Sequence, residues 1–415
     1  MDPTLSPDVV AQQALASIGI ILGAGALAAV LAKRINIPDI VLYLLVGMLL
    51  GPGLGLLHIP TESVMNQFIL TFGAAYILFD GGATLRFRVL KEIWVLLLVL
   101  ATVGVLVTCF ITALAAESLL GLPWMVAVLL GATIASTDPA TLVPVFKQVK
   151  VKERVAQLVM SESAMNDATG AILTFTVLAM IQAAAGSGAE VSVGHAVLEF
   201  GIEAGVGLFI GSASGYLAAV LVAKGQTPLL KDFMPLVTLL VVAGSYSLAL
   251  YAGGSGFMAV FCAGVILMNN ESFGFSVDAI DEEKLEHYVG NTALAFRILI
   301  FILLGSQVDF ALIQQYLLPG IGVVAVFMFV ARPVTVFLCA LPDRNARWTV
   351  KEMLFMSWTR ETGVIPAALV GLLAGQGAPN IDVIGAVTFI AILATILIQA
   401  STTRWWAGKL DLLER

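Results

Sequence analysis

Long apolar runs alternate with short connections rich in glycine, proline and charge. Thirteen runs stand out, near residues 10–32, 37–57, 64–84, 93–116, 122–146, 154–184, 193–223, 233–252, 255–269, 287–307, 318–341, 350–374 and 382–403. Turn signals separate them at Lys33–Pro38, Gly51–Pro60, Gly121–Pro123, Gly186–Gly188, Gly225–Pro228, Pro342–Asn345 and Gly375–Pro379. The runs are continuous rather than strictly alternating. They therefore predict helices that satisfy their own backbone in lipid, and they exclude a barrel. The expected fold is all-α, a polytopic membrane protein of about 13 transmembrane helices.

Composition agrees with the pattern. The 415 residues are 59% hydrophobic and 12% charged, with a mean hydropathy of +0.99. A soluble domain carries roughly twice that share of charge. Cys109, Cys262 and Cys339 lie inside apolar runs without paired spacing and read as small core residues. The net charge of −7 comes largely from one acidic stretch, Glu271–Glu286, and does not suggest nucleic acid. Gly51-Pro52-Gly53-Leu54-Gly55 lacks the preceding strand and following lysine of a phosphate loop and reads as the end of a span. No nucleotide, redox or metal-cofactor motif appears, so no cofactor is expected. The first tail, with Asp2 and Asp8, lacks the basic region of a cleavable signal, and none is expected.

The placement of basic residues tests the span count. Odd-numbered connections hold Lys33 and Arg34; Arg86, Arg88 and Lys91; Lys147, Lys150, Lys152 and Arg154; Lys224 and Lys231; Lys284; and Arg344, Arg347 and Lys351. With Arg404, Lys409 and Arg415 near the C-terminus, these are eighteen of the twenty-one basic residues, and the even-numbered connections hold none. The positive-inside rule then places the N-terminus outside and the C-terminus in the cytoplasm.

The other basic residues, Arg297, Arg332 and Arg360, lie within spans. Charge at membrane depth costs about 2.5–3.5 kcal/mol per group on insertion scales, so buried ionisable residues are candidates for function. Ser161–Gly170 reads Ser-Glu-Ser-Ala-Met-Asn-Asp-Ala-Thr-Gly. On a helix, Ser163 and Asp167 share one face, and Glu162 and Asn166 share the adjacent one. The other acids at depth are Asp138, Asp80 nearer a span end, and Glu361 beside Arg360. Glu199 and Glu203, four apart in the seventh span, read as structural or subunit-contact residues. Buried charges pair, and three arginines face these acids, with Arg297 near enough to a span end to snorkel.

Two spans are interrupted. In the fifth, Thr137-Asp138-Pro139 and Pro144 break the helix and strand carbonyls near Ser136–Thr137 beside a carboxylate. In the twelfth, Arg360-Glu361-Thr362-Gly363-Val364-Ile365-Pro366 is a second polar break. The breaks lie seven spans apart, an odd offset that reverses direction across the membrane. Residues 1–192 and 233–405 are then two inverted repeats, joined by span 7 at 193–232, with 406–415 as a short cytoplasmic tail. Discontinuous helices in matching positions of inverted halves point to a midplane transport site.

Glu162-Ser163 with Asn166-Asp167, together with Thr137-Asp138-Pro139 and the late Arg360, resembles the NhaP-type sodium/proton antiporters, the electroneutral branch of the monovalent cation/proton antiporters. The resemblance covers essentially the whole chain. It implies two crossed, broken helices in a core bundle of spans 4–6 and 11–13, a dimerisation bundle from the remainder, and a homodimer. It implies that Asp167 binds either cation or proton, that Na⁺ sits at Asp167, Ser163, Thr137 (through its carbonyl) and Asp138, and that Asn166 holds the crossing by hydrogen bonds. Glu162 would pair with an arginine, first Arg332 in Ala331-Arg332-Pro333 and second Arg360. Asp80 falls roughly where relatives carry an acid on the third helix. Relatives often have Arg-Gly where this chain has Arg360-Glu361, which leaves the pairing around Arg360 open. Many relatives add a cytoplasmic regulatory region after the point corresponding to Trp405-Trp406, so a short form or a chain without that region is expected. A multi-pass protein of a prokaryotic plasma (inner) membrane is expected.

One competitive site suffices for coupling. A carboxylate buried in a low-dielectric site is tolerable when protonated or holding Na⁺ and costly when bare. Only the loaded forms then cross. Neutral Asn166, where electrogenic relatives place a second acid, leaves one exchanging carboxylate and predicts one-for-one exchange. K⁺ or Li⁺ as the cation remains the alternative. A cation channel is a rival, as is an intramembrane hydrolase built on Gly253-Gly254-Ser255-Gly256. None of His58, His195 and His287 lies at convincing membrane depth to serve such a serine.

Overall fold

A computed structural model describes residues 6–35, 37–137, 151–187, 193–222, 233–275, 279–343 and 346–413. These form seventeen helices: α1 (Pro7–Ile35), α2 (Asp39–Met48), α3 (Val64–Thr84), α4 (Phe87–Val99), α5 (Val105–Leu120), α6 (Trp124–Ile134), α7 (Glu153–Ser187), α8 (Val193–Val222) and α9 (Met234–Tyr251), then α10 (Gly256–Met268), α11 (Ala279–Ser306), α12 (Phe310–Val326), α13 (Arg332–Ala340), α14 (Val350–Trp358), α15 (Val364–Gly375), α16 (Ile381–Ala394) and α17 (Ser401–Lys409). Among the described residues the β structure is one isolated bridge, Val151 to Leu413. Eight helical stretches there are long and apolar enough to cross a membrane, and four shorter ones are as apolar. With α3 these occupy the thirteen expected spans.

Three spans are continuous only through π-helical turns that the sequence does not announce: Leu100–Gly104 joins α4 to α5, Phe327–Ala331 joins α12 to α13, and Thr395–Ala400 joins α16 to α17. Such turns re-aim the side chains that follow them. In the fifth span, α6 ends at Ile134, before the prolines. Asp138, Pro139 and Pro144 lie outside the described residues. In the twelfth, α14 stops at Trp358 and α15 begins at Val364, so 359–363 is the break.

Packing separates two groups of helices. One set of buried side chains joins α5, α6, the far end of α7, α12, α15 and α16, and another joins α4, the start of α7, α13, α14 and the tail. A third joins α1–α3 with α8–α11 and reaches α7 and α15. The groups therefore meet where α3, α8 and α10 lie against α7 and where α3 and α11 lie against α15. Within the third set, α3 and α10 touch backbone to backbone. A Cβ added at Gly82 would lie 2.2 Å from Phe261 O, and one at Gly264 would lie 2.2 Å from Phe79 O. Small residues at such crossings let membrane helices gain dispersion contact. Gly82→Ala is expected to push α3 off α10 and cost about 1–3 kcal/mol, as overpacking does. Thermal unfolding in detergent checks this, and a melting temperature equal to the parent's would refute it.

Ser255 of the Gly-Ser-Gly stretch has an ordinary structural task. It caps α10, and its hydroxyl accepts from Met258 N at 3.2 Å. Arg297 lies in the second half of α11, half-buried, with Nε enclosed and without a hydrogen-bond partner among the described residues. Glu203 reaches Thr176 of α7 with its side chain.

Candidate functional site

Helix α7 carries the polar stretch, and its apolar flanks bury it between the two groups of helices. Glu162, Ser163 and Asn166 are each 1% exposed, and Asp167 is 7% exposed, so this helix places a hydroxyl, an amide and two carboxylates out of water. Burial on that scale requires partners.

Two of the groups, the Ser163 hydroxyl and the Asn166 amide, converge on the unravelled end of α6. Thr137 N donates to Asn166 Oδ1 at 3.0 Å, and Asn166 Nδ2 donates to Thr137 Oγ1 at 2.9 Å. The Ser163 hydroxyl donates to the Thr137 carbonyl. Ser163 and Asn166 are three apart on α7, which is why one face can grip a single residue from both sides. One turn further along α7, Gly170 lets Ser136 approach, since an added Cβ would lie 3.1 Å from Ser136 Cβ. The Thr137 carbonyl stranded by the break is thus partnered by a side chain. Asp167, four residues after Ser163, flanks this junction.

Glu162 turns to the other face. Arg332 Nη1 donates to its Oε1 at 2.5 Å and Arg332 Nη2 to its Oε2 at 2.7 Å, a bidentate pair with Arg332 itself 1% exposed. Arg332 Nε also donates to Met356 O at 3.3 Å, fastening α13 to the half-helix α14. Arg360 has a different task. Its Nη2 donates to Ala135 O, just past α6, and its guanidinium lies 4.6 Å from the centre of the Phe327 ring. The two helix breaks therefore touch, through residues 225 positions apart.

The sequence reading passed over residues that line the second break. Thr362 N donates to Thr395 Oγ1 at 3.0 Å, and Trp358 Nε1 donates to Thr402 Oγ1 at 2.9 Å. Gln399, 1% exposed, lies between those contacts along the helix, and both of its side-chain polar atoms are enclosed without a hydrogen-bond partner among the described residues. Thr388, Thr395 and Gln399 are seven and four residues apart, a spacing that puts them on one helical face. That spacing was the available signal.

Asp80 stands apart from the junction, half-buried on α3. Its neighbour Gly81 abuts α7, with an added Cβ 3.3 Å from Ala164 Cβ. Asp80 lines a cavity of about 270 Å³ with Thr84, Arg86 and Glu286, and it lies within electrostatic reach of Arg297. Asp138 lies outside the described residues. At the junction, the hydroxyl, carboxylate and carbonyl oxygens suit a hard cation.

The sequence matches the family described as sodium/hydrogen exchanger, transmembrane, over residues 19–409. It is 31% identical to Na(+)/H(+) antiporter 1 of Methanocaldococcus jannaschii, over 96% of this chain and 95% of that one. It is 30% identical to the K(+)/H(+) antiporter NhaP of Alkalimonas amylolytica, over 94% of this chain and 66% of that longer relative. The fold is similar to the solved structure of the sodium proton antiporter MjNhaP1 from Methanocaldococcus jannaschii at pH 8, with a TM-score of 0.83 and 28% identity, covering 96% of this chain and 99% of that one.

Proposed function

This chain belongs to the transmembrane sodium/hydrogen exchanger family, and from that premise we propose that Asp167 is the single carboxylate at which Na⁺ and a proton compete. The protein is a multi-pass membrane antiporter and not an enzyme. The observation that carries the site assignment is the clamp on Thr137, because Ser163 and Asn166 fix the broken end of α6 beside Asp167.

Ser163 Oγ, the Thr137 carbonyl and Asp138 complete the cation's oxygen ligands in this reading. Asn166 holds the junction and carries no charge. Glu162 and Arg332 form an internally neutral pair that ties α7, α13 and α14 together. A bare Asp167 is held back from crossing by the cost of its uncompensated charge, whereas the protonated and cation-bound forms cross. The core bundle of spans 4–6 and 11–13 moves against the remaining helices, which make a homodimer. The N-terminus lies outside a prokaryotic inner membrane and the C-terminus in the cytoplasm.

The test is exchange in proteoliposomes, with internal pH and membrane potential read together. One-for-one exchange gives a sodium-driven pH change and no potential of its own. A potential generated by exchange would overturn the stoichiometry. The relative that exchanges K⁺ is nearly as similar as the one that exchanges Na⁺, so Na⁺, K⁺ and Li⁺ are titrated side by side. Saturation by Na⁺ at the lowest concentration is expected.

A further inference from the structure

Arg360 and Glu361 are consecutive in the break 359–363, and each is 2% exposed. Their settings are opposite. Arg360 follows the last residues of α14 and donates to Ala135 O beyond the end of α6, so it sits at the negative ends of two helices. Glu361 comes three residues before Val364, where α15 begins with its positive end. Among the described residues the nearby charges on other elements are Glu162 of α7 and Arg332 of α13, which neutralise each other. The facing stretch of α16 and α17 contributes Thr395, Gln399 and Thr402, all uncharged. Among the described residues, Glu162, Arg332, Arg360 and Glu361 therefore sum to zero, so the negative charge left for the cation is that of its carboxylate ligands, Asp167 and Asp138, alone.

We propose that Glu361 is a positioning residue for cation affinity, the counter-charge that cancels Arg360 and leaves the full negative charge of Asp167 available to the transported ion. The inference rests on the reading of Asp167 as the exchange site. The connection is short. Arg360 holds Ala135 O, two residues from Thr137, and Thr137 is held by the residues that flank Asp167. Without Glu361, the Arg360 charge acts on the site uncancelled. One unit charge over roughly 10 Å, at an effective dielectric of ~20, changes cation binding by roughly tenfold.

The experiment measures the KM for Na⁺ of exchange in proteoliposomes at alkaline external pH, where protons compete least. Glu361→Gln and Glu361→Ala, two neutral variants of different bulk, are both expected to raise KM about tenfold with a smaller change in maximal rate. Glu361→Asp keeps the charge and is expected to stay near the parent. Adding Arg360→Gln to Glu361→Gln restores neutrality and is expected to lower KM below that of Glu361→Gln alone, with recovery kept partial by the loss of the Arg360 bond to Ala135 O. An unchanged KM in a folded neutral variant would overturn the proposal. So would a loss of rate alone, or failure of both neutral variants to fold while Glu361→Asp folds, since either result assigns Glu361 to the fold. Asp167→Asn in the same vesicles separates the two levels. If it still exchanges, the site reading falls. If it is inactive while the neutral Glu361 variants match the parent, only the present inference falls.

Discussion

Replacing Asp167 by asparagine is expected to reduce sodium-driven proton movement to the rate of protein-free vesicles while leaving a folded membrane protein. Asparagine matches aspartate in shape and keeps hydrogen-bonding capacity at a site that is 7% exposed. What it cannot do is alternate between a proton and a cation as neutralising guests. Two measurements carry the argument. Thermal unfolding in detergent without sodium is expected to be close to the parent's. The added stability that sodium gives the parent, about 2.7 kcal/mol at one hundred times the dissociation constant, is expected to vanish. A variant that still melts later with sodium, or still exchanges, would remove Asp167 from the centre of the mechanism.

The second large effect concerns the pair formed by Glu162 and Arg332. Both side chains are enclosed, and their two bonds of 2.5 and 2.7 Å satisfy one another. Removing one partner leaves an uncompensated buried charge, which costs about 3–5 kcal/mol. Glu162→Gln and Arg332→Met are each expected to lower the melting temperature sharply, with lost yield as the first sign. The double variant, lacking both charges, is expected to recover much of that loss, since well-packed neutral groups often replace a buried pair without penalty. The bond from Arg332 to Met356 O is lost as well, so recovery is incomplete. A double-mutant cycle measures the coupling. Additive losses would show that the two charges do not depend on each other.

Much of the fold was legible because lipid imposes a simple rule. A span of apolar residues must close its own backbone hydrogen bonds, so α1, α7 and α11 announce themselves by length alone. The breaks were legible for the complementary reason, since Arg360-Glu361 and Thr137-Asp138-Pro139 interrupt apolar runs with residues that lipid does not tolerate unpaired. Other features left weaker marks. The π-helical turn at Leu100–Gly104 is written in Leu-Ala-Thr-Val-Gly, residues that any membrane helix could carry. Thr395 and Gln399 sit in an apolar run where one threonine looks ordinary, and only the break packed against them reveals their purpose. The choice between Arg332 and Arg360 as partner of Glu162 depends on direction of approach. The Arg332 fork meets the carboxylate squarely, whereas Arg360 is turned toward Ala135 O and Phe327.

The contact between α3 and α7 at Gly81 and Ala164 has a mechanical meaning. Glycine meets alanine there, an added Cβ at Gly81 lying 3.3 Å from Ala164 Cβ, and in the proposed movement of one bundle against the other a contact between such small residues obstructs sliding least. Further along α3, Gln67 Nε2 donates to Gly371 O of α15 at 2.8 Å, a stitch that any sizeable travel must unpick. In that proposal the stretch beside the Asp167 helix serves as a bearing, and the stitch as a detent that favours one position.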